Sequence, residues 1–340
     1  MQDSAGDQGK ADGVSARGAD PLAAEDSPGH SAEQTSPPQP SATHYRGRFA
    51  PSPTGPLHFG SLATALASCL DARYHHGTWL LRIENIDQPR EVPGAASLIM
   101  HDLDRHGFVW DEPVVWQSDR LDAYAEALDE LKTSHQAYPC ACSRRDQTYS
   151  ASGALVYPGN CRGGLPIGTT ARSIRILTDH RPVAFDDWLQ GHYSQDLEAE
   201  CGDFVILRAD GYYAYQLAVV VDDAWQGITH VVRGVDLLES TPRQLHLQSC
   251  LNKPTPRYAH LPIATDPQGL KLSKSTGAAD LQTLQPGQNL WKALSWLRQN
   301  PPMELYGEAP GVVWDWAIQH WNIDWLRDIK TQPMVKNSGG

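Results

Sequence analysis

The sequence predicts an α/β fold built on a parallel sheet, and three neighbouring segments support that prediction. Arg48 to Ala50 have the composition of a short strand end, and the helix that follows is expected to begin near Ser61, a residue type that caps helix N-termini. Residues 78–83 are rich in strand-forming side chains. A strand, a helix and a second strand in this order form a βαβ unit, in which the two strands are parallel.

The rest of the chain continues this alternation. Apolar residues at helical spacing predict one helix before Gly107, another after Asp119 and helices from Leu290 onwards that are interrupted at Pro301 and Pro302. Strands are predicted over 173–177, 203–207, 230–233 and 261–265, with a hairpin turn at 210–211 that leads into a further strand over 212–215, and a helix around 244–251. Residues 216–222 are apolar enough for either a helix or a buried strand.

Composition limits the class of protein. The chain has 340 residues, 40% of them apolar, which is enough for two or three domains with a large core. No run approaches the roughly 20 apolar residues of a membrane span, and the N-terminus lacks the basic and apolar regions of a signal peptide. Six cysteines are too few for a disulfide scaffold. These observations predict a cytoplasmic protein without a membrane partner.

The first 45 residues are predicted to be a disordered extension, either passive or a functional tail. They are rich in Ser, Ala, Gly, Pro and Asp and carry seven acidic and two basic side chains, which leaves −7 of the formal net charge of −12 for the rest. An acidic average argues against non-specific coating of nucleic acid, since that binding neutralises phosphates with Lys and Arg. The acidic average is still compatible with one local basic face.

Two loops carry candidate phosphate-binding residues. The loop over 48–60 places His58 and Gly60 just before a helix N-terminus, where free N–H groups and the helix dipole favour anions. Far downstream, Lys271 and Lys274 lie in a Gly-flanked loop with small hydroxyl residues between them, which suits a clamp for a polyphosphate leaving group. Taken alone, each segment is also typical of an ordinary solvated loop. The two together indicate a phosphate-binding site more strongly than either does alone.

A third candidate site is a cysteine segment. Cys140, Cys142 and Cys161 lie within 22 residues and have the ligand chemistry of a tetrahedral Zn²⁺ site, which needs a fourth ligand. From the residues alone, His180 or water is the fourth ligand to consider, and the alternative to zinc is three reduced cysteines near a turn. Cys69, Cys201 and Cys250 lack partners at ligand spacing and are predicted to be core residues.

Five segments together resemble the class I aminoacyl-tRNA synthetases in their glutamyl form. Residues 48–60 are similar to the first signature of that family and residues 271–275 to the second. Residues 82–87, 215–218 and 232–238 resemble glutamyl-type segments in the same order. The resemblance implies a doubly wound, Rossmann-type catalytic domain, with the site at the carboxyl ends of the strands. It also implies an inserted zinc-bearing subdomain.

Only 65 residues follow the second signature, so we expect no anticodon-binding domain. This shortness and the cysteine segment resemble the shortened paralogues that attach glutamate to queuosine in the anticodon of tRNA(Asp). Ser61, where charging enzymes often have His or Asn, agrees with that subfamily. The expected boundaries are a 1–45 extension, catalytic halves over 46–135 and 201–265, the insertion over 136–200, and a loop and helical region over 266–340.

The resemblance implies roles for individual residues. It makes Tyr157 the fourth zinc ligand, His58 and Lys274 catalytic, and L-glutamate, ATP with Mg²⁺ and queuosine-containing tRNA(Asp) the partners of a monomer. ATP is expected at His58, Gly60, Ser61, Lys271 and Lys274. Glutamate is expected at Arg48, Phe49, Ala50, Pro51, Ser52, Glu84, Tyr215 and Arg233. Arg48 is the fork for the side-chain carboxylate, and Glu84 is the anion for the amino group.

Three other functions compete with this one. An ordinary glutamyl-tRNA synthetase would acylate a tRNA 3′ end, and the missing C-terminal region counts against it. A catalytically inactive, zinc-stabilised RNA-binding paralogue is disfavoured because both signatures retain their charged residues. A nucleotidyltransferase acting on a small acid is disfavoured by the glutamyl-type segments.

Overall fold

The computed structural model describes residues 44–149, 153, 155–266 and 281–333. The first βαβ unit is formed as predicted, with β1 and β2 parallel and β3 parallel to β2. The elements of this part are β1 (Arg46–Phe49), α1 (Phe59–Tyr74), β2 (Thr78–Ile83), α2 (Ala95–Arg105), β3 (Val115–Trp116) and α3 (Leu121–Thr133).

The middle of the chain is a set of short antiparallel strands. Its elements are β4 (Ala137–Cys140), β5 (Thr148–Tyr149), β6 (Leu155–Val156), β7 (Ser173–Ile176), β8 (Val183–Asp187), β9 (Gly191–Gln195), α4 (Leu197–Glu200) and β10 (Val205–Leu207). Strand β7 lies between β4 and β10, and β8 pairs with β9. The predicted turn at 210–211 is present, since the backbone N–H of Arg208 donates to the carbonyl of Tyr212 and Gly211 has φ +86°. The strand predicted over 212–215 is wrong, because pairing stops at a single bridge between Leu207 and Tyr213 and a helix begins at Tyr215.

The parallel sheet resumes in the second half. Its elements are α5 (Tyr215–Trp225), β11 (His230–Gly234), α6 (Thr241–Cys250), β12 (Arg257–Leu261) and β13 (Ile263–Thr265). Residues 216–222 are therefore helical. The strand predicted over 261–265 is instead divided at Pro262, which has no N–H to donate.

The two halves meet between β1 and β11, where the backbone N–H of Thr229 donates to the carbonyl of Arg46 (3.0 Å). The strands thus run in the order β3, β2, β1, β11, β12, with the chain reversing its direction of travel at β1. In doubly wound sheets a crevice opens at this switch point, beyond the carboxyl ends of the strands. The predicted fold class is confirmed.

The C-terminal helices α7 (Pro286–Trp296) and α8 (Pro310–His320) cover α1, and β14 (Thr331–Pro333) pairs in parallel with β13. Because α1 packs on the sheet and under these helices, most of its circumference is buried. Its own buried side chains are mostly small or branched. The indole of Trp321 donates to Asp71 on α1 (3.0 Å). Of the six tryptophans that follow residue 290, three are buried: Trp296, Trp314 and Trp321.

None of the described helices is long and apolar enough to span a membrane. Most of the predicted 1–45 extension and the whole of the loop at 271–275 lie outside the described residues. The domain boundaries expected from the sequence stay predictions.

Candidate functional site

Two adjoining cavities occupy the crevice at the carboxyl ends of β1 and β11. The first has a volume of about 440 Å³ and extends from the end of β1 to the turn at 87–91. The second, of about 310 Å³, lies over the N-terminus of α1. Residues shared by both linings, such as Ala50, Ser52 and Gly234, join them into one cleft.

The structure brings most of the predicted site residues into this cleft. The first cavity is lined by seven of the eight residues expected to contact glutamate: Arg48, Phe49, Ala50, Ser52, Glu84, Tyr215 and Arg233. The second is lined by Pro51 and by three residues expected to bind ATP: His58, Gly60 and Ser61. Lys271 and Lys274 lie outside the described residues. The fold therefore assembles the described candidates from four separate segments.

A buried ionic network supports the first cavity. Asp223 on α5 receives two hydrogen bonds from Arg48 (Nε–Oδ1 3.1 Å, Nη2–Oδ2 3.2 Å) and an ion pair from Arg82 (2.8 Å). Burial raises the pKa of Asp223, and the guanidinium groups of Arg48 and Arg82 outweigh that effect and hold the pKa below its usual range. Arg82 also reaches Glu84 (3.4 Å), whose pKa is raised by burial. Arg48 is thus fixed before any ligand arrives.

Arg233 is held in a different way. Among the described residues it forms no ion pair with a carboxylate, although its side chain is buried. Its Nε donates to Nε2 of His260 (3.0 Å), Nη2 donates to the hydroxyl of Thr241 (2.8 Å), and Nη1 lies 3.4 Å from the hydroxyl of Tyr215. Burial raises the pKa of Tyr215, which keeps the phenol protonated as a donor. The cavity wall thus presents a guanidinium and a phenol that suit an anion.

The charges around the first cavity do not cancel. The lining carries four arginines, Arg48, Arg90, Arg208 and Arg233, against three carboxylates, Glu84, Asp87 and Glu91. The Arg82–Asp223 pair behind it leaves this net charge of +1 unchanged. Arg120 neutralises the neighbouring Asp222 through a separate ion pair of 2.6 Å. A ligand with one net negative charge would balance the set. An amino acid with two carboxylates and one ammonium group has that charge.

The second cavity is bounded by the first turn of α1. The N-cap is His58, whose Nδ1 accepts from the backbone N–H of Ser61 (3.2 Å), so the prediction that Ser61 caps this helix is wrong. Ser61 lies instead in the first turn, with its hydroxyl 3.0 Å from Nε2 of His58. The first turn contains no acidic side chain, which leaves the positive end of the helix dipole available to phosphate.

The cysteine cluster has the dimensions of a zinc site. The sulfur atoms of Cys140, Cys142 and Cys161 all lie within 4.8 Å of one another, and Cys142 and Cys161 are 3.7 Å apart. The tetrahedron around Zn²⁺ with Zn–S bonds of about 2.3 Å has sulfur–sulfur edges of about 3.8 Å. The hydroxyl of Tyr157 lies 3.3 Å from the sulfur of Cys140 and 3.7 Å from that of Cys142. These four side chains fit a zinc ion.

Neighbouring groups fix this cluster. The guanidinium of Arg175 donates to the sulfur of Cys140 (3.3 Å) and stacks over the ring of Tyr157 (3.8 Å). Burial raises the pKa of Cys140, but hydrogen bonds from Tyr157, Cys142 and Arg175 outweigh it and lower the pKa, which favours the thiolate. The other fourth ligand considered, His180, is exposed and pairs with Asp196 (3.1 Å), outside the cluster.

The remaining cysteines are only partly as predicted. Cys69 is buried in the main core, where burial raises its pKa to about 12. Cys201 and Cys250 are half-buried rather than fully enclosed, and Cys250 packs against the core that contains Leu247 and Leu251. Each lies at the end of a helix, where part of the side chain faces solvent.

A basic groove connects the first cavity to the cysteine cluster. This arginine groove has a volume of about 830 Å³ and is lined by Arg90, Arg144, Arg172, Arg175 and Arg208, with Asp87, Asp210 and Cys142 among its other residues. It shares Asp87, Arg90 and Arg208 with the first cavity. Arg144 and Arg172 are exposed and form no ion pair with any described residue. The groove is therefore positive on a protein of net charge −12.

Comparison with known proteins places the chain in a family. The family model described as tRNA synthetases class I (E and Q), catalytic domain, matches residues 44–148 and 168–285. A glutamyl-Q tRNA(Asp) synthetase from Dechloromonas aromatica is 56% identical over 285 residues, 82% of this chain and 95% of that protein. One from Thiobacillus denitrificans is 51% identical over 292 residues, 85% of this chain and 96% of that protein. The chain belongs to the class I tRNA synthetases, among the glutamyl-Q tRNA(Asp) synthetases.

This membership confirms the resemblance seen in the sequence. A solved structure of a glutamate tRNA ligase from Elizabethkingia meningosepticum, in complex with its amino acid, matches with a TM-score of 0.71 and 26% identity. The match covers 86% of this chain and 67% of that ligase, so about a third of the ligase is not covered. The curated glutamyl-Q tRNA(Asp) synthetases, by contrast, are covered almost completely.

Several residues of the site were not predicted from the sequence. Asp223, Arg82, Asp187 and His260 are all buried, and all belong to the network behind the first cavity. Two of them do carry a signal in the sequence. Arg82 interrupts an apolar strand, and Asp222 and Asp223 lie near the end of an apolar helix. A charge buried in such a place needs a partner of opposite charge.

Proposed function

We propose that this chain activates L-glutamate with ATP and transfers the glutamyl group to the queuosine base of tRNA(Asp). The observation that carries the proposal is the first cavity. It has one unbalanced positive charge, a carboxylate at Glu84 and a carboxylate-free guanidinium at Arg233, and it opens directly onto the N-terminus of α1. Such a site accepts an acidic amino acid beside a polyphosphate. The enzyme is accordingly a ligase of the aminoacyl-tRNA synthetase class.

We propose one orientation for glutamate in the first cavity. The side-chain carboxylate lies at Arg233 and Tyr215, and the ammonium group faces Glu84, so that the α-carboxylate points towards the second cavity. Arg48, which the sequence favoured for the side-chain carboxylate, is already paired at two positions with Asp223. We therefore assign Arg233 the main contact and Arg48 a supporting charge.

Activation takes place where the two cavities meet. An oxygen of the α-carboxylate attacks the α-phosphorus of ATP, the bond to the bridging oxygen breaks, and pyrophosphate leaves with Mg²⁺. The developing charge on the phosphoryl oxygens is stabilised by His58 and the first-turn N–H groups of α1. Lys271 and Lys274 belong to the same step on the resemblance alone.

The arginine groove is the path for the RNA. It begins at the first cavity and ends at the cysteine cluster, so a nucleotide backbone bound there places one base at the activated carboxylate. The cyclopentenediol hydroxyl of queuosine then attacks the glutamyl-adenylate and AMP leaves. Zinc on Cys140, Cys142, Cys161 and Tyr157 would be structural, and we place the enzyme in the cytoplasm with its tRNA.

The test is transfer of labelled glutamate to tRNA(Asp) lacking its 3′ CCA end, with and without queuosine. We expect transfer that requires queuosine and not the CCA end. Transfer that requires the CCA end would return the protein to the tRNA-charging synthetases. Glutamate-dependent pyrophosphate exchange without transfer to either RNA would overturn the acceptor while leaving the activation step in place.

A further inference from the structure

A buried aspartate–histidine pair lies directly behind Arg233. Asp187 ends β8, and His260 lies on β12, 73 residues further along the chain. Nδ1 of His260 is 2.5 Å from a carboxylate oxygen of Asp187, and both side chains are fully enclosed. The pair does not line the first cavity, and the proposed reaction makes no direct use of it.

The hydrogen bonds determine which nitrogen of His260 carries the proton. A carboxylate only accepts, so the proton is on Nδ1, and Nε2 of the neutral ring is an acceptor. Burial lowers the pKa of His260, in agreement with a neutral ring. Nε2 receives the N–H of Nε of Arg233 at 3.0 Å. The orientation of the guanidinium therefore depends on the tautomer that Asp187 selects.

Asp187 is itself immobilised. Its Oδ1 accepts the backbone N–H groups of Leu189 (3.0 Å), Gln190 (2.9 Å) and His260 (3.1 Å). At the other end of the chain of contacts, Thr241 accepts from Nη2 of Arg233. Two guanidinium nitrogens are thus fixed from behind, and Nη1 is left on the side of Tyr215.

We propose that Asp187 and His260 are positioning residues that aim the guanidinium of Arg233 at the side-chain carboxylate of glutamate and so set the affinity for the amino acid. The inference rests on the proposed function. A buried arginine is usually held by a carboxylate in direct contact. Here the carboxylate of Asp187 acts on Arg233 through the neutral ring of His260. Arg233 is oriented without having its charge neutralised by direct contact, and its charge stays available to the ligand.

The test measures glutamate-dependent ATP–pyrophosphate exchange in His260 variants. His260→Leu removes the acceptor for Arg233 and is expected to raise the KM for glutamate roughly 10- to 100-fold, the range for a hydrogen bond to a charged group. The KM for ATP should change by no more than about twofold. His260→Gln can donate to Asp187 and accept from Arg233 with its amide, so it should restore most of the affinity.

Two further variants keep the test decisive where His260→Leu fails to fold. Asp187→Asn permits the opposite tautomer, which turns Nε2 into a donor facing Arg233, and it should also raise the KM for glutamate. Thr241→Val keeps the side-chain shape and removes the acceptor for Nη2. The control is His246→Leu, because His246 is a half-buried histidine on α6 that bonds the carbonyl of Leu177, outside both cavities.

The outcomes separate the inference from the proposed function. An unchanged KM for glutamate in folded His260→Leu, Asp187→Asn and Thr241→Val overturns the inference, provided that the wild type exchanges with glutamate. Equal increases in the KM for glutamate and for ATP also overturn it, since they indicate a general structural role. A wild type that shows no glutamate-dependent exchange contradicts the proposed function itself.

Discussion

Three buried arginines at the first cavity and two exposed arginines of the arginine groove differ in what holds their side chains. Arg48, Arg82 and Arg233 are buried and held by partners on other elements before a ligand binds. Arg144 and Arg172 are exposed and form no described ion pair. A buried, preoriented guanidinium distinguishes one carboxylate geometry from another, whereas exposed guanidinium groups attract phosphate with little geometric demand and are screened by salt. Under the proposed function, the buried arginines select the amino acid and the exposed arginines attract the RNA.

The largest effect is expected where a buried arginine loses its charge. Arg233→Gln should lower kcat/KM for glutamate activation by at least about 10²–10³, because it removes the buried cation that meets the side-chain carboxylate under the proposed function. ATP–pyrophosphate exchange measures the loss. Arg257→Gln, an exposed arginine on β12, is the matched control and should stay near the wild-type rate. A full rate for Arg233→Gln would contradict the assignment.

The cysteine cluster tests whether the two regions are independent. Cys161→Ser should abolish the binding of one zinc equivalent and reduce glutamate transfer to tRNA(Asp) roughly 10- to 100-fold, in the range seen when a metal site is perturbed. Glutamate-dependent exchange should persist, since the cluster does not line either cavity of the cleft.

The control for these measurements is Cys250→Ser. It changes a half-buried thiol outside the cluster and should leave both metal content and transfer unaltered. Equal loss of exchange and transfer in Cys161→Ser would show that the two regions are coupled. Retention of one zinc equivalent by Cys161→Ser would remove Cys161 from the ligand set.

A smaller effect is expected in the arginine groove. Combined Arg144→Ala and Arg172→Ala should weaken tRNA binding about tenfold at low salt and reduce the slope of log K against log salt by about one for each phosphate that is no longer neutralised. Exchange without tRNA should be unchanged, because neither residue lines the first cavity. Arg145→Ala, an exposed neighbour outside the groove lining, is the control. An unaltered salt slope would exclude the groove as the RNA path.

The sequence predicted the local elements better than the site they build. β2 and α2 are formed where their composition places them, because a run of strand formers and a regular apolar stripe are local signals. The hairpin of β8 and β9 was missed, although it supplies Asp187. Residues 216–222 stayed ambiguous because α5 is buried on nearly all sides, and its apolar pattern therefore lacks a period.

The site itself depends on pairings that no local pattern contains. Asp223 and Arg48 are 175 residues apart, and His260 and Asp187 are 73 apart. The resemblance supplied residues that line the cleft, since those occur in signature segments. It did not supply the buried groups behind them, which act only through three-dimensional packing. The cap of α1 illustrates a local failure, because the ring of His58 takes the acceptor role that serine usually has.

The smallest predicted effect concerns His230, a basic side chain that the fold keeps uncharged. It stacks on Tyr45 (4.0 Å between ring centres), and burial, with the nearby charges of Arg257 and His75, lowers its pKa to about 4. The pKa in the unfolded chain is about 6.5, so the unfolded state takes up the proton first as the pH falls. The stabilisation is therefore complete above pH 6.5 and is lost progressively towards pH 4.

Allowing for solvent screening, we expect this loss to be on the order of 1–2 kcal/mol of unfolding free energy between pH 6.5 and pH 4. His230→Phe retains the stacking on Tyr45 and has no proton to bind, so denaturation experiments at the two pH values should show a shallower decline. His192→Phe, at an exposed position on β9, should follow the wild type. Arg82 is paired with the carboxylates of Asp223 and Glu84, whereas the charged neighbours that help burial to lower the pKa of His230 are themselves bases, Arg257 and His75. An identical decline in wild type and His230→Phe would contradict the lowered pKa of His230 as a source of the loss of stability at low pH.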